Sequence, residues 1–231
     1  TSTAIKNFIS NYYTTNGLTF VLLVGDAAQI PTVLLSSGHS DNAYGYLTGN
    51  DNYPEVMVGR FSAENTMDVQ TQVKRTLDYE RDAMTVQAFY SNSIGIASNQ
   101  GPGDDNEYDY QHIRNMQLDL LGFTYQGNLE YFDGSQGGND MAGNPSASQV
   151  ATGINGGAGI ILYTGHGSSS SWGTSGFSNS NIASLTNTGM LPFIWSVACV
   201  NGNFVGNTCF AEAWMRGRSG DQPTGAVATL M

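Results

Sequence analysis

Cysteine is nearly absent from this chain: of 231 residues, only Cys199 and Cys209 carry a thiol. Two thiols without nearby histidines do not make a zinc set, so a structural zinc site is excluded. A disulfide between the two stands open as the bland reading. Basic residues are scarce as well, with 8 Lys and Arg against 19 Asp and Glu and a formal net charge of −11. Phosphate contacts need clustered cations, and this balance argues against a nucleic-acid partner. It suits basic substrates or calcium. Long apolar runs are also lacking: none approaches the roughly 18 residues that span a bilayer, and no basic-then-apolar leader opens the chain. The abrupt start in a helical pattern and the end at an uncovered strand, 225–231, suggest a piece of a longer protein. Low Lys with abundant Asn, Ser, Thr and Gly is compatible with secretion.

What is present is globular: 40% hydrophobic and 11% aromatic residues in a chain long enough to bury a substantial core. Two apolar runs rich in β-branched and aromatic residues read as buried strands ending in tight loops. One is Ile160-Ile161-Leu162-Tyr163-Thr164, followed by Gly165-His166-Gly167. The other is Phe193-Ile194-Trp195-Ser196-Val197, followed by Ala198-Cys199. Further strands are predicted at 20–24, 56–59, 93–98 and 129–132, the first of them as a central parallel strand. Helical spacing predicts helices over 3–13, 67–82, 108–121, 146–155, 180–186 and 209–216. Residues 30–46 are irregular, and His39 there reads as a surface residue without chemistry. The alternation of strands and helices is that of an α/β protein with a mainly parallel sheet, in two adjacent βα subdomains over 1–85 and 86–231.

In such a sheet, neighbouring parallel strands present their carboxyl ends on one edge, where ligands bind. One strand delivers His166 there and the other Cys199. A nearby imidazole lowers a thiol's pKa and later donates a proton to the leaving amine. The amides of Gly167 and Cys199 could form an oxyanion hole. Taken alone, the pattern leaves two readings open, a Cys–His hydrolase and an inert buried cysteine beside a packed histidine. Upstream, Asp51 and Glu55 share one face of an extended segment and could converge on a hard cation with Asp26. A solvated acidic turn is the alternative.

Several motifs narrow the choice. Tyr163-Thr164-Gly165-His166-Gly167-Ser168, Ser171-Trp172-Gly173-Thr174-Ser175, Leu191-Pro192-Phe193-Ile194 and Val197-Ala198-Cys199-Val200-Asn201-Gly202 closely resemble the gingipains. So do Leu23-Val24-Gly25-Asp26, Gly49-Asn50-Asp51, Val58-Gly59-Arg60-Phe61-Ser62 and Tyr79-Glu80-Arg81, so the likeness covers nearly the whole chain. The resemblance implies a secreted or bacterial cell-surface cysteine endopeptidase with a caspase-like three-layer fold. Within it Cys199 is the nucleophile and His166 the general acid/base. Asp109 falls where arginine-specific members place the acid of the primary specificity pocket, lined further by Val197 and Gly167. The substrates implied are proteins or peptides with Arg, or Lys, before the scissile bond. The family's calcium arrangement is matched by Asp26, Asp51, the Tyr53 carbonyl and Glu55. One departure is plain: the glutamate that orients the family's histidine falls near Asn99-Gln100, and neither is acidic. Asn99 is the expected substitute, by a neutral hydrogen bond, with Glu107 or Asp105 as other choices. A catalytically weak binding or scaffold domain, and a transpeptidase acting in protein secretion, are the alternatives this leaves.

Overall fold

The computed structural model describes residues 1–81 and 87–231. It divides into two compact units, Thr1–Gln70 with Phe204–Asn207, and Thr71–Asn203 with Thr208–Met231. The expected boundary between residues 85 and 86 and the expected helix end at Asp82 lie outside the described residues.

The first unit opens with α1 (Ser2–Asn16), capped by the Thr1 hydroxyl, which accepts from the Ala4 amide at 3.3 Å. Gly17 ends it in the left-handed conformation, φ 73°. Next comes β1 (Phe20–Val24), and then a hairpin of β2 (Val33–Leu35) and β3 (Gly38–Ser40), where only irregular structure was expected. His39 lies exposed on this hairpin. β4 (Met57–Phe61) pairs with β1 in parallel, Val21 opposite Val58. Ile9, Leu23 and Tyr44 form the buried centre of the unit. β1 is not the fully buried central strand its sequence suggests. Among the described residues β4 is its one partner, and Phe20, Leu22 and Val24 stand exposed while Leu23 turns inward. α2 (Thr66–Glu80) crosses the division between the units in sequence.

The second unit contains β5 (Asn92–Ala97), α3 (Asp109–Phe123), β6 (Gly127–Phe132), α4 (Ala147–Gly156) and β7 (Ile160–Thr164). A short hairpin of β8 (Gly167–Ser168) and β9 (Ser171–Trp172) follows, then α5 (Asn179–Ile182), β10 (Phe193–Val197) and α6 (Phe210–Arg216). A second hairpin, β11 (Arg218–Ser219) with β12 (Gln222–Pro223), leads to β13 (Ala228–Leu230). Five of these strands form one parallel sheet in the order β13-β10-β7-β5-β6.

Side chains alternate across that sheet. Ile161 and Tyr163 join Ile94, Ile96 and Ile194 on the face covered by Val150 and Ile154 of α4, Ile182 of α5, and Phe210 and Trp214 of α6. Leu162 and Ala97 face the other way, onto Ile113 of α3 and Phe132. Helices thus cover both faces, which gives three layers and explains why these strands read as continuous apolar runs. Gly95 allows α3 its close approach, since a Cβ there would lie 2.6 Å from Ile113 Cγ2 and 2.4 Å from Gln117 Oε1. Burying each Ile is worth roughly 1.5–3 kcal/mol. Arg75, from the end of α2 that belongs to this unit, is fully buried. Its guanidinium donates to the carbonyls of Trp214 and Gly217 at 3.2 Å each and to that of Ala226. Burial pulls its pKa down to about 9.

The chain runs from β5 to β6 on one side and then returns to place β7 on the other. Where the direction of winding reverses, the crossovers leave opposite faces and a crevice opens at the carboxyl ends.

Candidate active site

Three adjacent strands end in register at this carboxyl edge of the sheet. Ala97 of β5 lies opposite Thr164 of β7, which lies opposite Val197 of β10. The Ser98 amide donates to the Thr164 carbonyl at 3.1 Å, and the Gly165 amide to the Val197 carbonyl at 3.2 Å. The ladder therefore continues one step past the strands and aligns the loops that leave them. Asn99, His166 and Cys199 are each the second residue beyond their strand. All three are exposed.

The side chain that meets His166 is Gln100, not Asn99: the imidazole Nε2 lies 3.0 Å from Gln100 Oε1. An amide oxygen only accepts, so Nε2 carries the proton and Nδ1 is left as the basic atom. The reason is local. Gln100 is drawn in by its own backbone, whose amide donates to Ser98 Oγ at 3.1 Å and whose carbonyl accepts from the Asp109 amide at 2.9 Å. Asp105 and Glu107 do not reach His166 either. They gather on His112, whose Nδ1 lies 3.3 and 3.2 Å from their carboxylates. Among the described residues these three are the group whose donor atoms converge closely enough to hold a metal ion.

Asp109 stands in the first turn of α3, half-buried, and its carboxylate accepts a hydrogen bond from Ser98 Oγ. Ser98 in turn packs beside the His166 loop, with its Cβ 3.3 Å from where a Cβ on Gly165 would stand. The expected pocket acid is therefore at the same sheet edge as the histidine. Val197, the last residue of β10, is exposed there as well.

The backbone around His166 is fixed from below. Tyr163 is buried, and its ring stacks on Trp172 with centroids 4.8 Å apart. Its hydroxyl donates to the His166 carbonyl at 2.5 Å and accepts from the amides of Gly173 and Thr174 at 3.1 and 3.2 Å. The desolvated phenol has its pKa raised. The β8–β9 hairpin closes back on the same residue, the Gly173 amide donating to the His166 carbonyl at 2.7 Å.

On the other loop, Cys199 is a free, exposed thiol and Cys209 a free, buried one. The disulfide reading is thus overturned: Cys209 serves as the N-cap of α6 inside the core. Burial pushes its thiol up to about 12, which makes it a poor nucleophile. Val200, directly after Cys199, holds φ 54°. A β-branched residue in that region costs about 1–3 kcal/mol and persists only where its surroundings impose it. The two loops touch at Gly167, where a Cβ would fall 2.9 Å from Ala198 Cβ and 2.8 Å from Asn201 Nδ2.

The four expected calcium ligands all lie in the first unit, where the carboxylates hydrogen-bond to their own loops. Glu55 spends both carboxylate oxygens on its own loop, accepting from the Leu47 and Thr48 amides at 2.7 and 3.1 Å and from the Thr48 hydroxyl at 2.6 Å. Those bonds, led by the hydroxyl, hold its pKa down at about 2. Asp51 accepts from the Tyr53 amide at 2.9 Å and Asp26 from the Ala27 amide at 2.5 Å.

Two residues of the site escaped sequence reasoning, or nearly so. Gln100 was in view only as a neighbour of Asn99. Asn201 was in view only as part of the motif around Cys199, because its role lies in contacts with a hairpin thirty residues away in sequence.

Comparison with known proteins accords with this geometry. The sequence profile of peptidase family C25 matches residues 1–231. Gingipain R2 of Porphyromonas gingivalis is 40% identical over 235 residues, which span all of this chain and 31% of that protein. Lys-gingipain of the same organism is 26% identical over 94% of this chain and 12% of its own length. The crystal structure of the Arg-specific cysteine proteinase gingipain R superposes with a TM-score of 0.91 at 39% identity, covering 99% of this chain and 52% of that one. A complex of the pro- and mature domains of the same proteinase gives 0.92 at 39% identity, over 100% and 54%. The chain thus spans about a third of that curated R2 relative. The match over every residue of the chain, together with 40% identity to a gingipain R, places the protein in peptidase family C25.

Proposed function

We propose that this chain carries the catalytic residues of a cysteine endopeptidase that cleaves proteins after basic residues, Arg before Lys. Cys199 is its nucleophile and His166 its general acid/base. The observation that carries the reading is the alignment of three strand ends, with Cys199 and His166 on adjacent loops and Gln100 Oε1 bonded to His166 Nε2. That bond directs the basic Nδ1 away from Gln100 and makes it available to a thiol.

In the mechanism, Nδ1 takes the Cys199 proton and the thiolate attacks the scissile carbonyl carbon. The Gly167 and Cys199 amides receive the oxyanion, each donor contributing about 2.7–4 kcal/mol. As the tetrahedral species collapses, the imidazolium returns its proton to the departing amine. Water then attacks the thioester, His166 accepting its proton and passing it to the Cys199 sulfur. Tyr163 and Gln100 hold the imidazole through this cycle, one by the backbone carbonyl and one by the ring.

Specificity follows from Asp109, whose carboxylate would take a guanidinium in a charge-assisted pair. The Arg preference is supported by the relatives at 40% identity that are R-type gingipains. We also place the protein outside the cell or on the bacterial surface, on the same relationship. No helix among the described residues is long and apolar enough to cross a membrane.

Cys199→Ala should abolish turnover of an Arg-containing peptide, with persistent cleavage sinking the assignment. Asp109→Asn should raise KM for Arg substrates by about 10-fold or more while sparing uncharged ones, as a lost charge-assisted bond implies. An equal loss on both would remove the pocket role.

A further inference from the structure

We infer that Asn201 is a positioning residue that holds the hairpin beginning at Gly167 against the Cys199 loop, and so sets the Gly167 and Cys199 amides at the distance a tetrahedral intermediate needs. The inference rests on the reading of Cys199 and His166 given above.

Asn201 is fully buried although it lies two residues from an exposed nucleophile. Its side chain uses every polar atom. Nδ2 donates to the carbonyls of Ser168 at 2.6 Å and Ser171 at 3.1 Å, the two ends of the turn in the β8–β9 hairpin. Oδ1 accepts from Ser196 Oγ at 3.1 Å. Ser196 Oγ also accepts from Trp172 Nε1 at 2.9 Å, so the amide plane is oriented from both sides. Its own carbonyl accepts from the Ala211 amide at 3.1 Å, which anchors it to α6.

This amide joins what the sheet leaves separate. The strands fix where each loop begins, but past the last ladder bond, from the Gly165 amide to the Val197 carbonyl, the sheet no longer sets their separation. Asn201 spans the gap: its backbone belongs to the Cys199 loop and its donors hold the hairpin that begins at Gly167. The loops meet with nothing between them, since a Cβ on Gly167 would overlap Asn201 Nδ2 and Ala198 Cβ at 2.8 and 2.9 Å. The left-handed Val200 is accounted for in the same way. It sits between the nucleophile and the clamp and takes up the turn that lets Asn201 reach inward while Cys199 faces out. An amide is required, because the hairpin offers two carbonyl acceptors and Ser196 one hydroxyl donor. A carboxylate of the same shape would set its oxygens against two carbonyls.

The test uses the full-length protein and three readouts: peptide hydrolysis, alkylation of Cys199 by iodoacetamide, and melting temperature. Alkylation needs the thiolate and its imidazole but no oxyanion hole. In Asn201→Asp, kcat should fall about 100-fold, the scale of a lost oxyanion donor. KM and the alkylation rate should stay within about threefold of wild type, the split expected when only transition-state binding is lost. Unchanged kcat, or alkylation falling in step with kcat, overturns the inference. Where Asn201→Asp does not fold, Ser196→Ala keeps the amide but frees its orientation. A smaller kcat loss at unchanged alkylation then supports the role, and wild-type kcat overturns it. If Cys199→Ala still turns over substrate, the reading of the nucleophile has failed; if it is dead while Asn201→Asp is wild type, this inference alone has.

Discussion

Gln100 is the residue at which this site departs most from an acid-assisted histidine. A neutral amide fixes the ring and its tautomer, as the 3.0 Å contact to Nε2 does here. It brings no negative charge to stabilise imidazolium. Gln100→Glu keeps the length and the acceptor and adds that charge within hydrogen-bond distance. An opposite charge at such range favours the protonated ring by about 1–3 pH units. The acidic limb of the pH–rate profile, where imidazolium must lose its proton before Nδ1 can act as the base, should therefore move to higher pH in this variant. Asn99→Ala, at the neighbouring position, should leave the limb in place. A profile in Gln100→Glu superimposable on wild type would mean that Gln100 does not touch the ring during turnover.

At the scale of elements, the loop that precedes β4 shows how a carboxylate can close a loop. Glu55 accepts three hydrogen bonds from Leu47 and Thr48 and so closes residues 47–55 into one unit. Its pKa is lowered from 4.5 to about 2 by those bonds. A carboxylate depressed on folding stabilises the fold fully above its unfolded pKa and loses that contribution as pH falls through the folded one. The window here runs from about pH 4.5 down to about 2. Melting temperatures measured across it should fall less steeply in Glu55→Gln than in wild type, because Gln does not titrate. Parallel curves would show that the loop does not depend on the charge. The carboxylate lies at the surface, where water and salt weaken it, so the difference in slope is expected to be modest.

Over the whole molecule, what was legible in sequence was what local physics decides. The apolar runs at β1, β7 and β10 announced strands at 20–24, 160–164 and 193–197 because a short, continuous run of β-branched and aromatic residues is strand-like whether one face or both are covered. His166 and Cys199 were legible because each is the second residue beyond such a run. Gln100 over Asn99, Asn201, and the Tyr163 hydroxyl under His166 were not, since each depends on how a loop folds back onto a distant segment. The exposed side of β1 was hidden for the opposite reason: a run suited to a sheet interior does not say which partners are present. Composition spoke to a property no single element carries. The chain has a net charge of −11, and a cationic substrate approaches it down a favourable potential. Raising ionic strength from about 0.01 to about 0.15 M shortens the screening length from about 30 to about 8 Å. kcat/KM for an Arg peptide should fall severalfold over that range while kcat stays level, since salt acts on encounter and not on the thioester chemistry. A substrate without charge should show no such slope. Equal salt dependence for both would place the effect in the folded protein itself and remove the charge as a guide to substrate.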